Sequence, residues 1–252
     1  MMECLENGSL YKFAKKRMEL DEHDLPNRML WRLLLCLIRA CIGFAYPPRG
    51  LQPGRNLEEI PTANIERAYP ADLVHGDMHS NNILFAEYEP ESFPEHSLVP
   101  TLKTIDLERC GQPHPASRRA GRWVGIEANF LSVAFAMRAI ITLRSRTTAR
   151  PVFITGREEP INSWCEFPED AYPALDRDLA NLLTEMGTDD GYDGVTLDDA
   201  FRRAQEGVAR GADYYENRVG GEFETDEHII ALCKRLILEP NEHEDSDSED
   251  EY

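Results

Sequence analysis

Positive charge is scarce in this chain. Its 252 residues hold 27 Lys and Arg against 46 Asp and Glu, a formal net charge of −19. A body this acidic repels phosphate backbones and anionic bilayers, which argues against nucleic acid or a membrane surface as a main partner. The six cysteines, Cys4, Cys36, Cys41, Cys110, Cys165 and Cys233, include no Cys-x-x-Cys pair, which speaks against zinc and against a secreted disulfide framework. No secretory leader precedes them. An intracellular setting, cytoplasmic or nuclear, is therefore expected. Long apolar runs are also lacking: residues 29–45 form an apolar stretch interrupted by Arg32 and Arg39, short of the roughly 20 residues a bilayer requires.

Apolar residues nonetheless make up 42% of the chain and aromatics 9%, enough to bury the core of one large domain, with or without an appendage. Residues 26–46 are apolar nearly all round, as in a helix at the centre of a domain, and Pro47-Pro48 stops it. Asn7-Gly8 signals a turn, Ser9 an N-cap, and Leu10, Phe13 and Ala14 the apolar face of a first helix. In residues 126–143, Phe130, Val133, Ala134, Met137, Ile140 and Ile141 recur at helical spacing. Shorter helices are expected over residues 172–183, after Thr196 with Asp199 as an approximate capping box, and over residues 228–238. Residues 47–70 read as a surface excursion, and the acidic, proline-containing residues 86–101 as an exposed, mobile loop. Residues 239–252 hold eight acidic side chains and no Lys or Arg, an expected disordered tail.

The chemistry concentrates in one stretch, Val74-His75-Gly76-Asp77-Met78-His79-Ser80-Asn81-Asn82-Ile83-Leu84, and in Ile105-Asp106-Leu107-Glu108 beyond it. An Asp, an Asn five positions later and a second Asp after a β-like run suit the handling of Mg²⁺-nucleotide beside an acceptor hydroxyl. Asp77 would take the hydroxyl's proton and aim its oxygen. Asn82 and Asp106 offer hard oxygen ligands of the kind Mg²⁺ prefers. Two short strands, residues 83–85 and 102–105, should form a hairpin that brings Asn82 and Asp106 to the same end.

These residues resemble the bilobal kinase superfamily. His-Gly-Asp-x-His-x-x-Asn with Ile-Asp-x-Glu looks closer to the aminoglycoside phosphotransferase and choline kinase branch, and to fungal protein-kinase-like domains with this variant loop, than to the usual His-Arg-Asp-Leu-Lys-x-x-Asn and Asp-Phe-Gly. Met2-Glu3-Cys4-Leu5-Glu6-Asn7-Gly8-Ser9-Leu10 is similar to the segment that joins the two kinase lobes. The resemblance implies an α+β, mainly α fold: an interlobe linker at residues 1–8, a kinase-like C-terminal lobe at 9–238 with a small hairpin bearing the metal site, and the tail at 239–252. It implies ATP and Mg²⁺ as cofactors, Asp77 as base, His79 near the γ-phosphate, Asn82 and Asp106 on the metal, and backbone groups at Glu3 and Leu5 on adenine. A protein Ser/Thr hydroxyl is the acceptor it favours, a small-molecule hydroxyl the alternative.

On that resemblance the N-lobe is largely absent: no Gly-rich phosphate loop and no strand Lys lie upstream of the linker. A truncated product and a C-lobe standing alone, acting as a catalytically silent binding module, both stay open. Asn129 stands where protein kinases place a loop-anchoring Asp, and the terminal helices look more like a protein kinase than an antibiotic kinase. Residues 109–122 correspond to an activation segment. Their Arg109, Arg118, Arg119 and Arg122 suit either a phosphate or acidic acceptor, or the balancing of nearby carboxylates. Gly76 replaces the Arg that in many protein kinases grips a phosphorylated activation loop. Phosphoryl transfer is accordingly expected to be the same in a Ser117→Ala variant as in the parent chain, and transfer that starts only after Ser117 phosphorylation would contradict the reading.

Overall fold

A computed structural model describes residues 5–22, 24–47, 58–61, 69–91, 93–113, 123–144, 146–188 and 194–239. Glu3, Ser117, Arg118, Arg119 and Arg122, and the tail beyond residue 239, lie outside the described residues. Mainly helical structure with two small antiparallel sheets is what results. In chain order the elements are α1 (Leu10–Glu19), α2 (Asn27–Ala45), β1 (Ile83–Phe85), β2 (Leu102–Thr104), α3 (Val124–Thr142), β3 (Arg150–Val152), β4 (Ile161–Ser163), α4 (Arg177–Met186), α5 (Leu197–Val208), α6 (Ala212–Tyr215) and α7 (Asp226–Cys233). A π-helical turn, Lys234–Leu238, extends α7.

α2 is the centre, as its all-round apolar sequence requires. Leu30, Leu33, Leu34, Leu37, Ile38 and Cys41 are all buried, and α3 and α5 pack against it. Gly207 of α5 lets the two helices touch: a Cβ there would stand 2.2 Å from the Trp31 ring. α3 is long and apolar enough to cross a membrane by composition, and 56% of that stretch is buried inside the fold. Its burial against α1, α2 and α4 accounts for the apolar composition. Cys36, Cys41, Cys165 and Cys233 are free thiols pushed up to about 12 by burial, which makes them inert core residues.

The two arginines that interrupt the α2 run are buried, each in its own polar setting. Arg39 meets Glu95 in a two-pronged pair, Nε to Oε1 at 2.6 Å and Nη2 to Oε2 at 2.9 Å, and also reaches Glu59 at 3.0 Å. This pair corrects the expectation of an exposed loop at residues 86–101 for its second half: Glu87, Pro90 and Glu91 are exposed, but His96 and Leu98 to Pro100 are buried. Pro94–His96 forms a 3₁₀ turn, and His96, Leu98 and Val99 are buried beneath it. Arg32, about two turns nearer the amino end, donates to the Arg28 carbonyl at 2.9 Å, and burial together with the neighbouring Arg28 brings it down to about 10.

At the start of α2 no local side chain caps the helix. Glu224 does it from 197 residues away, accepting from the Asn27 N–H at 2.6 Å and the Arg28 N–H at 3.0 Å. A carboxylate on those orphan donors also meets the positive end of the helix dipole. Ser9, Thr196 and Thr225 cap α1, α5 and α7 as their types suggest. The capping box after Thr196 is only half made: Asp199 donates its N–H to Thr196, while its carboxylate pairs with Arg202 and Arg203. α4 begins at Arg177, five residues later than its sequence suggests, because Asp176 takes the N-cap position and accepts from the Asp178 N–H.

Asp176 does more than cap. Its buried carboxylate also accepts from Trp31 Nε1 at 3.1 Å, Tyr215 Oη at 2.7 Å and the Arg210 guanidinium, so α2, α4, the turn after α5 and α6 meet on one charge. Burial alone would push this carboxyl up; the bonds from Tyr215, Trp31 and Arg210 together outweigh it and hold the carboxyl below its ordinary range. Asp176 therefore stabilises the fold fully above the unfolded carboxyl value, and that contribution is lost as pH falls through the lowered folded value. Asp176→Ala, which strands Arg210 and two further donors, should lower unfolding free energy by about 3–5 kcal/mol in urea denaturation at neutral pH. The gap between variant and parent should shrink as the solution is acidified, and a gap that widens in acid would contradict the assignment.

Candidate functional site

The loop that carries Asp77 is held from three sides. From α3, Asn129 spans two of its backbone groups: Oδ1 accepts from the His75 N–H at 3.0 Å, and Nδ2 donates to the Leu73 carbonyl at 2.8 Å. The single acceptor expected of an uncharged residue at this position is thus joined by a donor bond, which an Asp could not make. Just upstream, Asp72 Oδ1 accepts from the Gly125 N–H at 2.6 Å and fixes the start of α3 to the same strand of chain. Val74 and Gly111 exchange both backbone bonds, at 2.8 and 3.0 Å, and so attach the segment after Asp106 to the loop.

His75 is fully buried and joins the loop to the hairpin. Its Nδ1 accepts from the Asp77 N–H at 3.3 Å, which leaves the proton on Nε2 for the Ile105 carbonyl at 3.0 Å. That bond spans 30 residues, to the residue before Asp106. Gly76, next in line, has φ +81°, and a Cβ would meet the Arg109 carbonyl at 2.6 Å. Glycine is required here by the backbone.

β1 and β2 pair as expected, Ile83 with Thr104, Leu84 with Lys103 and Phe85 with Leu102, and the Ile105 N–H continues the ladder to the Asn82 carbonyl at 3.0 Å. Asn82 and Asp106 therefore share one end of the hairpin. Asn82 Nδ2 donates to the Asp77 carbonyl at 3.0 Å, which commits its nitrogen and leaves Oδ1 as the available acceptor. Asp106 lies in the left-handed region, φ 61° and ψ 64°, and its side chain makes no capping bond to the 3₁₀ turn Leu107–Arg109 that follows. The Asp77 carboxylate is part-exposed, with His79 Nε2 at 3.8 Å and Arg109 Nη1 at 3.7 Å. Arg109 thus balances a carboxylate, one of the two roles its position suggested. His79 Nδ1 accepts from the Asn81 N–H at 3.2 Å, which holds the ring over the turn.

The segment before α1 docks on this hairpin. Ser9 bridges to Leu84, the Phe85 N–H reaches the Gly8 carbonyl at 2.9 Å, and Asn7 Nδ2 donates to the Ala86 carbonyl at 2.8 Å. Leu5 is half-buried at the start of that segment. Asp77, His79, Asn82 and Asp106 are brought to one loop and hairpin end. Among the described residues no three His, Cys, Asp or Glu side chains converge into a ready metal site. An Asn and a single Asp fit an ion that takes one or two protein oxygens and completes its shell from water and phosphate.

The arrangement of helices around a short hairpin is protein-kinase-like. A crystal structure of the BubR1 kinase domain superposes on 93% of this chain with a TM-score of 0.54 at 12% sequence identity. At that identity the likeness is one of fold. The chain spans 62% of the length of that domain. No protein-family model matches the chain, and no curated protein matches it.

Because Asn129 is nearly fully buried, replacing it orphans the buried His75 N–H, at a cost of about 1–3 kcal/mol, and the part-buried Leu73 carbonyl, at a smaller cost. Asn129→Ala should therefore lower the urea midpoint. Asn129→Asp keeps the acceptor and loses the donor, and should fall between Asn129→Ala and the parent chain. Equal midpoints for all three proteins would remove Asn129 from the support of the loop.

Proposed function

We propose that this chain is the C-terminal lobe of an ATP-dependent phosphotransferase of the protein kinase type, acting on a Ser or Thr hydroxyl of a protein. A small-molecule hydroxyl is the alternative acceptor. The observation that carries this reading is the common end shared by Asn82 and Asp106, with the Asn82 side chain bonded to the backbone of Asp77. Two oxygens of the right hardness are thereby joined to a part-exposed carboxylate through rigid secondary structure. Bound Mg²⁺ would neutralise the charge that spreads over the phosphoryl oxygens. Asn82 Oδ1 and the Asp106 carboxylate would hold it.

Asp77 orients the acceptor hydroxyl and takes its proton. His79, 3.8 Å from Asp77, would donate to the transferred phosphoryl group. Backbone groups near Glu3 and Leu5 are the candidates for the adenine edge, since the segment that follows them is fixed to the hairpin at Gly8 and Ser9. A second reading, a catalytically silent module that binds nucleotide or protein, is favoured by one observation. The Arg109 guanidinium stands 3.7 Å from Asp77, on a carboxylate that a base must keep free for its proton.

The test is transfer of labelled γ-phosphate from Mg²⁺-ATP to a Ser/Thr peptide mixture. Asp77→Ala should lower the rate by about 10²–10⁴-fold, the range for loss of a general base, and Asp106→Ala should abolish Mg²⁺-dependent transfer. Transfer that survives Asp77→Ala removes Asp77 as base. A parent chain that is stabilised by Mg²⁺-ATP against heat but transfers nothing selects the silent module.

A further inference from the structure

Residues 128–157 hold five arginines, Arg138, Arg144, Arg146, Arg150 and Arg157, and no Asp, Glu, Lys or His, in a chain of net charge −19. Three of the five gather at the end of α3. Leu143, in the left-handed region at φ 53°, turns the chain there, and the Arg138 guanidinium donates to the carbonyls of Arg144 at 3.0 Å and Arg146 at 3.2 Å. Those carbonyls bring no net charge to set against it. Arg144 and Arg146 are exposed. Among the described residues none of the three meets a carboxylate, whereas Arg28, Arg39, Arg150, Arg203, Arg210 and Arg235 each do. The negative end of the α3 dipole is equivalent to about half an elementary charge. It accounts for one guanidinium at this place, not for three.

The chain leaves the described fold close by. The Glu239 N–H bonds the Lys234 carbonyl at 2.9 Å, and the Glu239 carbonyl accepts from Lys16 Nζ at 2.9 Å, which sets the exit against α1. Arg17, the next residue of α1, donates its guanidinium to the carbonyl of Ile140, in the last turn of α3. Lys16 and Arg17 thus connect the exit to the end of α3. Thirteen residues follow Glu239, seven of them Asp or Glu and none Lys or Arg. Extended, a segment of that length spans about 40 Å, ample to pass α1 and reach the arginines, since packed helices lie about 8–10 Å apart.

We propose that the acidic residues 242–251 lie over the arginines at the end of α3 of the same molecule, their carboxylates paired with the guanidinium groups of Arg138, Arg144 and Arg146. Each such exposed pair contributes little alone. Tethering makes up for it: a short linker holds the acidic segment at an effective concentration on the order of 1 mM, so a contact too weak to form between dilute molecules forms within one. The contact masks a cationic surface from other anions. It is independent of the phosphotransferase reading.

The test compares nitrogen NMR spectra of the full parent chain and of a full chain carrying Glu242→Gln, Glu244→Gln, Asp245→Asn, Asp247→Asn, Glu249→Gln, Asp250→Asn and Glu251→Gln. These changes remove the negative charge and alter no residue of the described fold, so a folding defect does not mimic the result. The Nε–Hε signals of Arg138, Arg144 and Arg146 should differ between the two chains at low salt. They should coincide at about 1 M salt, where the screening length falls to about 3 Å. A synthetic peptide of residues 241–252, added to the neutralised chain, should move these signals toward their parent positions. Arg144→Ala together with Arg146→Ala should weaken that peptide about tenfold, as expected for two exposed pairs. Coincident arginine signals at low salt, differences confined to Lys12 and Lys15 of α1, or equal peptide affinity with and without the two arginines would each overturn the proposal. So would a difference that grows with protein concentration, which seats the acidic segment on a second copy.

Discussion

The site depends on one side chain that is itself far from any chemistry. Asn129, buried in α3, holds the carbonyl of Leu73 and the N–H of His75 at once. Those two bonds fix the path of the chain into Asp77. His75, so positioned, can bond both the Asp77 N–H and the Ile105 carbonyl, and the loop, the hairpin and α3 become one rigid unit. An amide is the side chain suited to this task, because one partner is a donor and the other an acceptor. A carboxylate would satisfy the first and repel the second.

The same economy governs two buried carboxylates in the body around α2, each of which is held by several partners. Glu224 is pushed up by burial and is partly offset by the N–H groups it caps and by Arg28. Asp176 ends below its ordinary value because three side-chain donors reach it. The two carboxylates respond oppositely to acid: protonation relieves Glu224 and dismantles the Asp176 junction. Both join the ends of helices distant in sequence, so the charges act as connectors among α2, α4 and the segments after α5.

Local chemistry made much of this legible. Ser9 and Thr196 cap the helices their positions announce, and the nearly all-round apolar stretch of α2 calls for a buried helix. The hairpin followed from two β-like triplets, and with it the common end of Asn82 and Asp106. What stayed hidden was tertiary. Residues 86–101 carry the composition of a solvated loop, and only the pairing of Glu95 with Arg39, 56 positions away, draws their second half into the core. The start of α4 was hidden for the same reason: Asp176 serves Trp31, Tyr215 and Arg210 as well as its own helix. The paired role of His75 had a signal, a His two positions before Asp77, but its partner carbonyl at Ile105 is set by the fold alone.

Backbone strain separates the two aspartates that share the left-handed region near the site. Asp72, φ 55°, and Asp106, φ 61°, both adopt a conformation that glycine reaches without penalty. At Asp72 the reason for a carboxylate is visible, since Oδ1 caps α3 through the Gly125 N–H. At Asp106 the side chain is exposed and caps nothing in the turn that follows. Glycine would make that turn at least as well. The Ile105 ladder bond and the His75 clamp thus hold an exposed carboxylate in a backbone conformation that costs an L residue energy, and no bond from that carboxylate to another described residue offsets the cost.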